Sequence, residues 1–142
     1  MDLYAENILE HYRAPRGKLP LPAGEGWGEG FFQHTENNPA CGDEITVGLT
    51  MHDDHIQDIH WDGTGCAISQ AAMSMLSEEL EGKSLDEVDA LTKEDILTLL
   101  GVPIGPRRLK CALLGLHACK NALRKAEGRE TLGWTQGILG EK

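Results

Sequence analysis

Ile45, Val47, Leu49 and Met51 alternate with Glu44, Thr46, Gly48 and Thr50, the period of a strand with one buried face. From Ile56 to Asp62 the alternation resumes, with Ile59 and Trp61 opposed to Asp58, His60 and Asp62. His52-Asp53-Asp54-His55 stands between the two runs as a turn, so the pair predicts a β-hairpin. After Gly63-Thr64-Gly65-Cys66 the period lengthens, and Ile68, Ala71, Ala72, Met75, Leu76 and Leu80 recur at helical spacing up to Gly82. Ser84 with Glu87 is a capping box for a short helix, and Thr92 with Asp95 repeats the device for a helix ending at Leu100. Gly101, Pro103, Gly105 and Pro106 interrupt the pattern before a long helix from about Arg107 to Glu127.

The opening is less regular. Asp2 to Tyr12 reads as a short amphipathic helix with Leu3, Ile8, Leu9 and Tyr12 as its apolar residues, stopped by Ala14-Pro15-Arg16-Gly17. Residues 17–30, rich in Gly and Pro, form a mobile or extended connection into a strand around Gly30 to His34. Strands precede helices, which predicts an α+β fold with helices on one face of a small antiparallel sheet. No repeat or internal break divides the chain, so residues 1–128 are expected to form one domain and 129–142 a C-terminal tail.

The net charge of −10 argues against nucleic acid and anionic membranes as partners. The first residues lack the basic and apolar regions of a secretion signal, and no apolar run reaches the ~20 residues that span a bilayer. A cytoplasmic location follows as the expectation. There, the four cysteines read as ligands, nucleophiles or core residues rather than disulfides.

Cys41 lies in the turn Asn37-Asn38-Pro39-Ala40-Cys41-Gly42-Asp43, where a thiolate and the Asp43 carboxylate can face one cation, although an ordinary turn would look the same. Cys66 follows Gly63-x-Gly65 and begins a helix, whose unpaired N–H groups favour thiolate; the glycines would admit a large ligand or another protein. A small buried cysteine is the alternative. On the last helix, Leu109, Leu113, Leu116 and Leu123 form one stripe; Cys119 falls about 40° from its centre and Cys111 about 120°. Lying ~12 Å apart along the axis, these two cannot share a metal. Cys119 is expected in the core, with Cys111 at the stripe's margin near the helix start. Three cysteines and one aspartate from separate segments suit zinc or iron. His52, His55 and His60 read as exposed hairpin residues, and His117 as a packed histidine.

Asn38-Pro39-Ala40-Cys41-Gly42-Asp43, Gly63-Thr64-Gly65-Cys66-Ala67-Ile68-Ser69 and Pro106-Arg107-Arg108-Leu109-Lys110-Cys111 together resemble the iron–sulfur cluster assembly scaffolds of the IscU and SufU type, or NifU N-terminal-like family. Tyr4 to Gly17 and Gly82 to Glu87 add to a likeness spanning residues 1 to about 127. By position, the resemblance implies Cys41, Cys66 and Cys111 as cluster and sulfur-accepting thiols, with Asp43 as the fourth ligand. It implies a three-stranded antiparallel sheet with helices on one face, and zinc, iron or a transient [2Fe-2S] cluster at the Cys3Asp site. A cysteine desulfurase would supply sulfur, and a cluster carrier or apo-protein would receive the product. Such a protein is a scaffold rather than an independent enzyme.

Lys110 stands where IscU-type proteins have histidine, as in SufU-like proteins, yet the 45-residue step from Cys66 to Cys111 has no room for the usual SufU insertion. Gly101-Val102-Pro103-Ile104-Gly105 replaces the IscU segment offered to a dedicated chaperone, which argues against that partner. Cys111 is the expected sulfur acceptor, through its helix-start position, marginal burial and the charge of Arg108 and Lys110. Two other classes compete: a structural zinc module without sulfur transfer, and a Cys66–His117 hydrolase that lacks a recognisable orienting partner.

Overall fold

A computed structural model describes residues 6–18, 31–38 and 42–133. The elements run α1 (Glu6–Arg13), β1 (Phe31–Asn38), β2 (Asp43–His52), β3 (His55–Thr64), α2 (Ala67–Leu80), α3 (Leu85–Asp89), α4 (Lys93–Leu100) and α5 (Pro106–Ala126). The strands form a three-stranded antiparallel sheet, β1-β2-β3, with α2 and α5 packed against it. This is the α+β architecture expected.

Alternation on β2 buries Ile45, Val47 and Leu49, while β3 contributes Ile59 and Trp61. Ile56 is also buried, three positions from Ile59, against a strict two-residue period. A bulge explains it: Thr50 pairs with Asp58 and Met51 with Ile56, so Gln57 is the extra residue and the side-chain parity shifts. Asp53 and Asp54 both adopt positive φ between paired His52 and His55, as a two-residue hairpin turn requires. Leu76, Leu80, Leu113, Leu116 and Leu123 meet this face from the helices. Each fully buried large side chain of this kind stabilises the fold by ~1.5–3 kcal/mol relative to exposure.

Three readings of the chain change. Tyr12 is 44% exposed; only Ile8 of the described α1 side chains is fully buried. Strand β1 runs on through Asn38, because Thr35 to Asn38 pair with Asp43 to Thr46 despite their polar composition. Helix α2 is buried on more than its apolar side: Ser69, Gln70, Ser74 and Ser77 are enclosed too. Ser74 Oγ accepts from the Arg16 N–H at 2.7 Å and bonds His11 Nδ1, while Ser77 Oγ donates to the Arg16 carbonyl at 3.0 Å. These serines fasten the N-terminal segment to the helix. Both capping boxes form as read: the Ser84 N–H donates to Glu87 and the Thr92 N–H to Asp95.

Beyond α5 the chain turns back. The Asn121 amide donates to the Leu132 carbonyl at 2.9 Å and accepts the Leu132 N–H at 2.8 Å, strapping this segment alongside the helix. Leu3, Pro39, Ala40, Cys41, Trp134, Ile138 and Leu139 lie outside the described residues.

Candidate metal centre

Asp43 opens β2, paired with Asn38 across the β1–β2 connection. Its side chain is 1% exposed, and Oδ1 accepts the Cys66 N–H at 3.0 Å. A Cβ on Gly65 would lie 2.2 Å from that oxygen, and Gly65 has φ +144, so only glycine leaves the carboxylate its place. Gly63 is constrained in the same way by β2, since a Cβ there would lie 2.4 Å from the Glu44 carbonyl oxygen. The two glycines therefore make room for the protein's own strand and carboxylate.

Cys66 is the N-cap of α2 and is half-buried. Its Sγ lies 3.8 Å from Asp43 Oδ2 and 4.0 Å from Ser69 Oγ, and the Ser69 hydroxyl in turn donates to the Cys66 carbonyl. Cys111 completes the group, with ligand atoms of Asp43, Cys66 and Cys111 all within 4.8 Å of one another. Tetrahedral zinc sets its donors ~3.3–3.8 Å apart, so about an ångström of contraction would bring these three to ligating distance. Two thiols and a carboxylate are also suitable donors for zinc or iron. Asp43, Cys66 and Cys111 therefore fit a metal. Cys41 precedes Gly42 and Asp43 in the chain but lies outside the described residues.

Cys111 differs from expectation in two ways. It is the sixth residue of α5, beyond the first turn where the helix dipole acts, and it is only 4% exposed. The helix angle located its direction but not the neighbours that cover it; Asp43 and Cys66 come from other elements. Cys119 is fully buried, and desolvation pushes its thiol far above the ordinary range. His52 and His55 are exposed on the hairpin, and His60 is half-buried.

A cleft of about 230 Å³ adjoins the site, lined by Glu36, Asn37, Asn38, Lys110, Leu114, His117, Leu132 and Gly133. Within this lining, Glu36 bonds His34 Nε2 and the Asn121 amide, and lies 3.4 Å from His117 Nε2. Burial raises the Glu36 carboxyl, but the hydrogen bonds from His34 and Asn121 and the nearby His117 outweigh it, leaving it below its ordinary value. Desolvation lowers His117, an effect that Glu36 only partly offsets. His117 thus engages Glu36. This polar cluster escaped the sequence reading; its only signal was that His34 and Glu36 share one strand face two residues apart.

Residues 3–132 match the family described as the NifU-like N-terminal domain. The chain is 31% identical to the zinc-dependent sulfurtransferase SufU of Bacillus subtilis strain 168, across 89% of this chain and 92% of that one. It is 34% identical to the iron–sulfur cluster assembly scaffold protein IscU of Streptococcus pyogenes serotype M1, across 92% of this chain and 88% of the other. A crystal structure from Fervidobacterium islandicum, of a protein proposed to be a scaffold for the SUF system, superposes with a TM-score of 0.65 at 26% identity, covering 84% of this chain and 96% of that one. The match over most of the chain, together with the Asp43–Cys66–Cys111 group, shows that this protein belongs to the NifU-like N-terminal domain family of SufU and IscU iron–sulfur cluster assembly scaffolds.

Proposed function

We propose that this protein accepts sulfur from a cysteine desulfurase and supports iron–sulfur cluster assembly at Cys41, Asp43, Cys66 and Cys111. The observation that carries the reading is the convergence of Asp43, Cys66 and Cys111 from three elements onto one point. When bound there, zinc would keep the thiols deprotonated and shielded until a partner displaces a ligand. Iron and the [2Fe-2S] cluster are cargo, passed to a carrier or apo-protein.

In the transfer step, an acceptor thiolate attacks the outer sulfur of the desulfurase persulfide. The sulfur–sulfur bond breaks, the desulfurase cysteine leaves as thiolate, and the acceptor becomes the persulfide. We assign this role to Cys111, supported by Lys110 on the wall of the adjoining cleft, where its ammonium would draw an anionic persulfide. Greater exposure at a helix N-cap favours Cys66 as the second reading. No helix among the described residues is long and apolar enough to cross a membrane, and the acidic surface suits a basic protein partner in the cytoplasm. Val102 and Ile104 pack, partly buried, against the core between α4 and α5, while Gly101, Pro103 and Gly105 are exposed, so it is the altered sequence of this segment that argues against a dedicated chaperone.

Anaerobic incubation with a desulfurase, cysteine and ferrous iron tests the proposal. Visible charge-transfer bands that depend on this protein are the expected result. Stable zinc binding with neither bands nor persulfide would instead establish a structural zinc module.

A further inference from the structure

The Gly65–Cys66 peptide is pinned at both ends. Its N–H donates to Asp43 Oδ1 at 3.0 Å, and its carbonyl accepts from Gln70 Nε2 at 3.0 Å. Gln70 is 9% exposed, on a stretch of α2 otherwise dominated by small and apolar side chains. Its other amide atom, Oε1, accepts from the Lys18 ammonium at 2.5 Å, and that ammonium sits 5.2 Å from the centroid of the Trp61 ring. The polarity of this chain is unambiguous. Lysine can only donate and the Gly65 carbonyl can only accept, so the Gln70 amide has one satisfactory orientation.

Lys18 is itself held in place. The Trp61 indole donates to the Arg16 carbonyl at 2.7 Å, and the Trp61 backbone N–H to the Gly17 carbonyl at 3.0 Å. A rigid attachment therefore runs from β3 through Lys18 and Gln70 to the peptide that carries Cys66. Glycine on one side of that peptide makes it easy to rotate, and rotation would break both the Gln70 and the Asp43 bonds.

We propose that Lys18 and Gln70 are positioning residues for the metal centre: by locking the Gly65–Cys66 peptide, they hold Cys66 Sγ and the Asp43 carboxylate in ligating arrangement. The inference rests on the reading of Asp43, Cys66 and Cys111 as metal ligands. It makes retention of the metal depend on a residue outside the site, on the segment that follows α1.

The test compares Lys18→Met, Lys18→Arg, Gln70→Leu and Gln70→Glu. Zinc release to a chromophoric chelator is one readout, and hydrogen exchange of the Cys66 amide in the metal-free protein is the other. Gln70→Leu and Lys18→Met should each speed both by roughly fivefold, the scale of one hydrogen bond, and Lys18→Arg should restore wild-type behaviour. Gln70→Glu is decisive, because it keeps the partner of Lys18 but cannot donate to the Gly65 carbonyl. It should behave like Gln70→Leu, whereas a merely packing role would leave it silent. Wild-type zinc release and amide exchange in Gln70→Glu would overturn the proposal. Failure of the wild-type protein to bind zinc would refute the ligand reading instead, with amide exchange still deciding whether the brace exists.

Discussion

The Asp43 carboxylate accepts the Cys66 N–H at 3.0 Å, so one prospective metal ligand orients the backbone of another across 23 positions of sequence. Asp43 thus has two tasks, and they separate by substitution. Asp43→Asn keeps an acceptor for the Cys66 N–H but loses the charge, so it should weaken zinc binding while leaving metal-free stability near wild type. Asp43→Ala removes both and should also destabilise the metal-free protein by roughly 1–3 kcal/mol, the cost of an unsatisfied buried donor. Urea unfolding of both variants without metal, beside zinc titration, checks the separation. Equal metal-free stabilities for the two would show that the hydrogen bond contributes little.

Gly65→Ala should be among the most damaging single-methyl additions in the chain. The new Cβ would sit 2.2 Å from Asp43 Oδ1 on a backbone at φ +144. Steric displacement of the carboxylate and the strained backbone together predict a loss of at least about 2 kcal/mol and impaired zinc binding. Denaturant unfolding and metal stoichiometry measure both. Retention of wild-type values would mean that the carboxylate has another position available.

Acid should loosen the cleft beside the site in two steps of the same sign. His117 is lowered in the fold from 6.5, so the unfolded chain takes up its proton first and stability falls as pH drops from about 6.5 towards the folded value. Glu36 is lowered from 4.5; its contribution is present above that value and is lost as pH falls through the folded one. Unfolding free energies of metal-free wild type and His117→Gln across pH 4–7 should diverge in slope below about 6.5, with the shallower loss in the variant. Parallel curves would show that His117 titrates alike in both states.

The hairpin, the four helices after it and the burial of Cys119 were legible because each depends on a short-range period, a capping pattern or a single helix angle. The bulge at Thr50 and Met51 was not, since parity along one strand does not reveal an extra residue opposite its partner. Nor did the polar run Thr35 to Asn38 announce a strand; it is one because β2 supplies the pairing. At the site, the loop chemistry of Asp43 and Cys66 could be read locally, whereas their meeting with Cys111 depends on how α5 crosses the sheet. Family likeness supplied the set of four that spacing left open. Gln70 was invisible for a related reason: a glutamine on an apolar helix signals a buried partner without naming Lys18 or Gly65.

Persulfide mapping by mass spectrometry, after reaction with a desulfurase and cysteine, tests the central claim most directly. The account predicts a mass gain of one sulfur on Cys111, none on fully buried Cys119, and slower uptake in Lys110→Glu with zinc binding largely retained. Sulfur on Cys66 or Cys41 with Cys111 unmodified would move the acceptor within the same site. The absence of persulfide from Cys41, Cys66 and Cys111, with an active desulfurase present, would contradict sulfur acceptance by this protein.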